Sequence, residues 1–409
     1  MYFLIIGAGI EQEEMYLFCK KKGYKIISVD KLKKPYCFKY SSYHIVSSVY
    51  DDKKTIQKIK LNTFINKIYR KGKLKGVATI GSDSIKTVSR IAKRYKLQSI
   101  NLLSAKRATN KILMKKLFNK HKVLTPEFKV VKNYDQFKDE IIRFKFPFII
   151  KPSDGRGSMG VKFIDNKKNL RKYFFDSYKK SKEKKILIEE FISGNQYSAE
   201  GFFCGKKFYL VGVAYRNYDK LNDTKPYIIE DGGYLPAIKK KLELEKIRSL
   251  MENAAFSLGI KEGPFKADLV LNKNNYYIIE IAARLSGNYL SSHHIYWTSG
   301  VNLVDVMIDY SLKNKINLKH LTPNYKKFIF VKYFFPKNGK IKKIYKPKDL
   351  SKMKYFLNYE IFNKSSKFYQ KKITSHKDRA GIIRFMGPRL QQLKDNCIDA
   401  HRKFKFIYE

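Results

Sequence analysis

The sequence predicts an α/β fold at the N-terminus that passes into α+β structure over the rest of the chain. Apolar strand-like runs and helical periods alternate from residue 1 to about 100. Residues 146–164 read as a strand, a glycine-rich loop and another strand. Two alternating apolar runs between Phe265 and Asn288 each carry one acid and are joined by turn residues, the pattern of a β-hairpin. At 409 residues the chain exceeds one ordinary core, so roughly two or three domains are expected.

Composition narrows the function before any motif does. Lys and Arg number 86 against 36 Asp and Glu, a formal net charge of +50. The lysines are spread along the whole chain, together with many Phe, Tyr, Ile and Asn, and no nucleic-acid reader motif accompanies them. This reads as a solvated lysine surface that draws in anionic ligands, with no specific nucleic acid expected as partner. Cys19, Cys37, Cys204 and Cys397 lie far apart with no C-x-x-C spacing, which suits a reducing compartment. The opening Met1–Gly9 lacks the basic start of a signal peptide, and no apolar run reaches the ~20 residues that span a bilayer. A cytoplasmic protein away from membranes is the expectation.

Taken in order, Tyr2–Gly7 is a strand, 11–22 a helix, and Tyr24–Asp30 a second strand. A third strand, 76–80, ends in Gly81-Ser82-Asp83-Ser84, and 84–95 reads as a helix. Repeated βα units imply a parallel sheet covered by helices, with ligands at the carboxyl ends of its strands. Gly7, Gly9 and Asp30 resemble half a dinucleotide fingerprint, but Gln12 stands where the third glycine belongs. The favoured reading is a tight βα turn at the edge of a ligand cleft.

A helix is expected over 105–121, then an extended segment opened by Pro126. In the loop that follows, Gly155, Gly157 and Gly160, with Ser158 among them, free backbone N–H groups to turn onto phosphate. Lys151, closing the preceding strand, adds a point charge. The loop is not a Walker A motif, which needs Gly-Lys-Ser/Thr entering a helix. Residues 186–200 form a strand and a bend, 201–215 a further β segment, and 216–236 a polar connection containing Arg216 and Glu230. A helix over 242–258 precedes the hairpin, an amphipathic helix over 301–312 follows it, and the tail reads as a small α+β unit.

The hairpin acids are Asp268 and Glu280. An apolar strand does not bury a carboxylate without a partner, and a divalent metal between two strands would supply one. Arg284, two alternations beyond Glu280, can face the same space or pair with Glu280. The acids share a face if Asp268 pairs opposite Glu280, with Lys273, Asn274 and Asn275 as a three-residue loop; pairing Asp268 opposite Ile279 would separate them. His293-His294 point apart and have no third ligand at useful spacing, so they read as pocket or helix-start residues.

Together these segments resemble the ATP-grasp superfamily of carboxylate–amine and carboxylate–thiol ligases, most of all its amino-acid and dipeptide ligases and more distantly biotin carboxylase and carbamoyl phosphate synthase. The resemblance implies an ATP-grasp fold: a Rossmann-like pre-ATP-grasp domain over 1–100, the grasp over 101–312 with a glycine-loop subdomain near 128–192, and a small C-terminal α+β domain over 313–409. It implies ATP and magnesium, or manganese, as cofactors. Lys111 and Lys151 match the two ATP-binding lysines, and Gly155, Gly157, Ser158 and Gly160 the loop over the phosphates. Glu189, Glu190 and Ile192 match the adenine hinge, with Gln196 or Glu200 at the ribose. Asp268 and Glu280 match the metal ligands, and Arg284 matches the arginine facing the transferred phosphate or the substrate carboxylate; Lys151 and Arg284 are the catalytic pair it implies. Ser299-Gly300-Val301-Asn302-Leu303 resembles the closing signature of the family. Ala282 stands where relatives often carry a third metal ligand, which leaves two acids.

The implied reaction activates a small carboxylate, such as an amino acid, as an acyl phosphate that a small amine then attacks. The alternatives are a carboxylase-like or purine-pathway enzyme using carboxyphosphate or formyl phosphate, and a non-catalytic nucleotide- or nucleic-acid-binding protein on the same fold. A homodimer is common in the family and is the assembly the resemblance suggests.

Overall fold

The computed structural model describes residues 1–363, 365 and 367–409. Tyr2–Ile6, Lys25–Asp30, Tyr43–Val46 and Leu74–Ala78 form a parallel sheet in which the third strand flanks the second, the second the first, and the first the fourth. Tyr43–Val46 was not expected: it has four residues and buries only Ile45, too little to show a period. At the first turn, Asp30 accepts from the N–H groups of Ala8 (3.0 Å) and Leu32 (3.0 Å). Gln12 fills the space beside Gly7, where a Cβ would come within 2.3 Å of its Nε2, and donates to the Ile80 carbonyl. The turn therefore closes on its own side chains, as the favoured reading of that glycine pair requires.

The helix expected over 105–121 is two helices, Leu102–Thr109 and Lys111–Lys120. Asn110 breaks it by adopting extended backbone and accepting with its side chain from the N–H groups of Ile112 and Leu113. The break puts Lys111 at the first position of a new helix.

Phe128–Val131, Ile186–Glu190, Phe148–Pro152 and Lys162–Ile164 make a four-stranded antiparallel sheet with its own core of Val131, Phe137, Phe148, Ile150, Ile164, Phe174, Ile186 and Ile188. The larger sheet has eight strands, all antiparallel. It runs from Asn275–Ala282 through Gly263–Asn272, Asn195–Cys204, Lys207–Asn217, Gly232–Leu235, Phe328–Phe334 and Gly381–Gly387 to Phe356–Ile361. It thus continues across residue 312, and strands from the tail extend the same layer. Gly232–Leu235 lies inside the expected polar connection. Its two glycines hide it, yet a Cβ at Gly233 would meet the Tyr215 carbonyl at 2.0 Å, so glycine is what lets this strand pair.

The parallel sheet is buried on both faces, and this welds it to the rest. Leu4, Ile6 and Val77 join Met114, Phe265 and Ile281 in one core, while Phe3 and Ile5 join Val304, Met307 and Val331 in a second. Where the fourth parallel strand ends, Ile80 bridges Leu285 and the Gly81 N–H donates to the Leu285 carbonyl (3.1 Å). The loop after that strand is therefore seated on the segment just beyond Glu280. Among the described residues no helix is long and apolar enough to cross a membrane.

Candidate active site

Asp268 lies directly opposite Glu280 in the hairpin, by a different device from the one expected. The connection is not three residues: Asn272 pairs with Asn275, leaving Lys273 and Asn274, with Lys273 at φ +52. The register then shifts between Leu269, opposite Ile278, and Asp268, opposite Glu280. Ile279 is the extra residue of a β-bulge, and it restores the facing pair that a two-residue turn alone would have lost.

Each acid meets cations. Glu280 Oε1 accepts from Lys111 Nζ (2.8 Å), which also donates to the Gly155 carbonyl (2.8 Å). Asp268 lies near Lys266 Nζ (2.9 Å) and Arg216 Nη1 (3.2 Å) and accepts from Ser198 Oγ (3.2 Å). Burial alone would raise the Asp268 carboxyl, but Lys266 and Arg216 outweigh it and hold the group far below the usual carboxylate range. For Lys111, burial is likewise outweighed, here by Glu280, and the ammonium is held above its ordinary value.

Behind Lys111 sits a charged cluster that is almost dry. Lys151 Nζ lies 2.6 Å and Lys115 Nζ 3.6 Å from Glu189 Oε2. Lys115 is 1% exposed, and Glu189 Oε1 is buried without a partner among the described residues. Burial pushes the Lys115 ammonium down to about 7 despite the pull of Glu189. Burial would raise Glu189, but Lys115 and Lys151 keep it below the usual range. Lys115 was missed in the sequence, although it stands one helical turn after Lys111 and so shares its face.

These groups line one cavity of about 800 Å³. Its roof is the glycine loop: Gly155, Gly157 and Ser158 reach the wall, and Gly157 (φ +56) and Ser158 (φ +61) both adopt left-handed backbone. Gly160 stands behind them, where a Cβ would press on Pro152 at 2.8 Å. The hinge residues Glu189, Glu190 and Ile192 line the same cavity, as does Gln196. Glu200 does not. It is fully buried, accepts from the Ser286 N–H (2.7 Å) and Ser291 Oγ (2.5 Å), and clamps the loop after Arg284 from beneath. The expectation that Glu200 meets ribose is corrected: it shares the strand face of Gln196 and Ser198 but lies beyond the cavity lining, with its carboxylate engaged by the segment after Arg284.

Arg284 pairs with Asp83 rather than Glu280: its Nε and Nη2 lie 2.7 and 2.5 Å from Asp83 Oδ1. Burial would raise the Asp83 carboxyl, and Arg284 outweighs it to hold it low. Asp83 comes from the Gly81–Ser84 turn, so the N-terminal sheet supplies the partner of the arginine. Arg216 and Glu230 pair with each other (3.0 Å), and Arg216 thereby bridges Glu230 to Asp268. His294 lines the cavity beside Arg384, and among the described residues no three His, Cys, Asp or Glu gather as a metal cluster.

The donor set fits a hard divalent cation held with a nucleotide. Two carboxylates face each other on one cavity wall, both offer only oxygen, and Glu280 keeps 39% of its side chain exposed. Magnesium needs about six oxygens and commonly takes one or two from carboxylates, the rest from phosphates and water. The cavity size lies within the roughly 300–1,000 Å³ typical of small-ligand sites.

Residues 108–288 match the family described as ATP-grasp domain. Among curated proteins, the carbamoyl phosphate synthase large chain of Clostridium botulinum (strain Loch Maree / Type A3) is 24% identical over 327 residues, 76% of this chain and 28% of that one. The chain spans only 15% to 28% of such large chains. The crystal structure of L-amino acid ligase from Bacillus licheniformis superposes with a TM-score of 0.82 at 16% identity, covering 100% of this chain and 99% of that one. Phosphoribosylglycinamide synthetase from Anaerococcus prevotii superposes with a TM-score of 0.72 at 21% identity, covering 100% and 99%. At these identities the likeness to the solved structures is one of fold.

Proposed function

We propose, from the match of residues 108–288 to the ATP-grasp domain family, that the chain is an ATP-dependent ligase that activates a carboxylate as an acyl phosphate and joins it to an amine. The observation that carries this reading is the convergence of Asp268, Glu280, Lys111, Lys151 and Arg284 on one cavity under a glycine loop. Phosphoryl transfer asks a protein for positioning and charge neutralisation more than for covalent help, and this wall offers both.

Each group has a separable role. Glu190 and Ile192 border the adenine end, where the backbone of the hinge offers its polar groups. Lys151 and Lys111 neutralise phosphate charge, and Lys111 ties the loop to the metal-side acid through Gly155 and Glu280. Magnesium held by Asp268 and Glu280 would supply further charge neutralisation at the phosphates. Arg284, oriented by Asp83, faces the carboxylate that accepts the γ-phosphate. That transfer forms the acyl C–O–P linkage and breaks the γ-phosphate bond to ADP; attack by the amine then forms the C–N bond and expels phosphate. The glycine-loop lobe has its own small core, which suits it to close as a unit and keep water from the acyl phosphate.

The test is an ADP-release screen with magnesium, pooled amino acids and sugar acids as carboxylates, and pooled amines. Amide formation with ADP release is expected, and no ADP release from any pool would overturn the reading. A second reading is a carboxylase-type enzyme, a class represented among the solved structures of like fold by N5-carboxyaminoimidazole ribonucleotide synthetase from Thermotoga maritima. ADP release that depends on bicarbonate would select it.

A further inference from the structure

A third sheet stands apart from the cavity, and its outer face gathers charge that the sequence disperses. Gly339–Tyr345 is its middle strand, flanked by Phe368–Gln370 and Lys405–Tyr408. Ile341 is fully buried on the inner face, and Ile344 and Phe406 pack on the core that holds Phe334, Leu393 and Phe404. Three cross-strand pairs therefore face outward: Lys340 with Tyr369, Lys343 with Ile407, and Tyr345 with Lys405. A bulge between Ile341 and Lys343 keeps all three on one side. None of these residues lines the cavity.

The three strands with their flanks, 337–348, 367–372 and 402–409, carry twelve Lys and Arg and one acid, Glu409, where the whole chain has 86 to 36. Glu409 is engaged by Lys340, and among the described residues no other carboxylate pairs with a lysine of this face. Tyr369 is 61% and Tyr345 52% exposed, and Lys343 Nζ lies 4.8 Å from the centre of the Tyr345 ring. Lysines on edge strands commonly guard against edge-to-edge pairing. Lys340 and Lys343 stand on the middle strand, where both edges are already paired, so that guard does not account for them. Nor does it account for two large rings held out in water.

We propose that this face is a docking surface for single-stranded RNA, bound without regard to base sequence. Its lysines meet phosphates, and the two tyrosine rings are platforms on which unpaired bases stack. Tyr369, opposite Lys340, and Tyr345 lie five residues apart along the middle strand, roughly 15 Å, a span that a few extended nucleotides cover. The ligand that fits is one that alternates anionic and planar groups. A duplex hides the faces of its bases and an inorganic polyanion has none, so either would leave the rings unused. The surface is independent of the reaction assigned to the cavity.

The test is fluorescence anisotropy of the full chain with a labelled oligouridylate, competed by inorganic polyphosphate and by duplex DNA. Binding that weakens with salt is expected, and the single strand should be preferred to the duplex. Tyr345→Ala and Tyr369→Ala should each weaken the RNA at least ~5-fold, the scale of one lost stacked base. Neither should move the inhibition constant of polyphosphate. Tyr345→Phe and Tyr369→Phe should bind as the wild type does, because stacking uses the ring and not the hydroxyl. Lys343→Gln with Lys405→Gln should make the slope of log affinity against log salt shallower by ~1.4, about 0.7 for each phosphate contact removed. Lys53→Gln with Lys54→Gln, exposed on the helix Asp52–Lys60, should change neither affinity nor slope. Every substituted side chain is exposed, and circular dichroism checks that the fold persists. No salt-sensitive binding, a preference for the duplex, or alanine variants that bind as tightly as the wild type would each overturn the surface. So would a helix pair that weakens the RNA as much as the sheet pair, since that is the diffuse attraction of a chain at +50.

Discussion

Asp268 faces Glu280 because Ile279 bulges out of the strand between them and the turn. A single extra residue thus decides whether the two acids share the cavity or point to opposite sides of the sheet. Glu280→Gln keeps the volume and the strand while removing the charge. We expect ADP release to fall by ~10²–10³-fold, the scale of losing one preorganised electrostatic group in a phosphoryl-transfer site. Circular dichroism should be unchanged, and turnover at the wild-type rate would refute the assignment.

The lysine cluster makes a pH prediction of definite sign. An unfolded lysine keeps its proton to about 10.5, whereas folded Lys115 gives it up near 7. Between those values the unfolded chain binds more protons, so the stability of the nucleotide-free protein should rise with pH across that window. Below about 7 both states are protonated, and the cost of burying the charge is present in full. Lys115→Met should raise the melting temperature at pH 7 and flatten its climb towards pH 9. A wild-type melting curve that falls steadily over that range would contradict a Lys115 whose burial outweighs the pull of Glu189.

Much of this was legible in the chain, and the exceptions have physical causes. Local signals located the parallel βα units, the glycine loop, the hinge strand and the hairpin, because each is a contiguous run with its own periodicity. The bulge at Ile279 was not legible, since two-residue and three-residue turns share the same Lys-Asn-Asn composition and only cross-strand pairing separates them. The helix break at Asn110 was hidden by a helical period that continues through it, although Asn is a strong cap. Asp83 as the partner of Arg284 was out of reach for a different reason. The two are 201 residues apart and meet only when the parallel sheet docks on the central one.

Gln196 and Glu200 lie four residues apart on one strand and should separate cleanly by assay. Gln196 lines the cavity, so Gln196→Ala should raise the KM for ATP with little change in melting temperature. Glu200 instead satisfies the Ser286 N–H and Ser291 Oγ in a fully buried position. Glu200→Ala leaves the Ser286 N–H buried without an acceptor, at a cost of roughly 1–3 kcal/mol, and leaves Ser291 Oγ only the Ser286 carbonyl. Its signature is a large drop in melting temperature, with the KM for ATP unchanged in whatever protein remains folded. A selective rise in KM for Glu200→Ala would return it to the nucleotide site.

Among the described residues Asp83 pairs only with Arg284, and its effect on catalysis should pass through that arginine. The Arg284 guanidinium meets Asp83 Oδ1 through two nitrogens, which fixes its plane as well as its position. Asp83→Asn keeps the size and an acceptor oxygen but loses the charge that strengthens both contacts, so the arginine gains freedom at the point where a carboxylate must be aligned. Misplacement of a positioned group by about 1 Å costs on the order of 10²-fold in rate, and kcat should fall on that scale. The KM for ATP should stay within about twofold, because uniform nucleotide binding is untouched. A purely structural role would lower the melting temperature and leave the kcat of the folded fraction alone. Asp83→Glu, which keeps the charge on a longer arm, should recover part of the lost kcat, and failure of that partial rescue would show that Arg284 does not depend on Asp83 for its orientation.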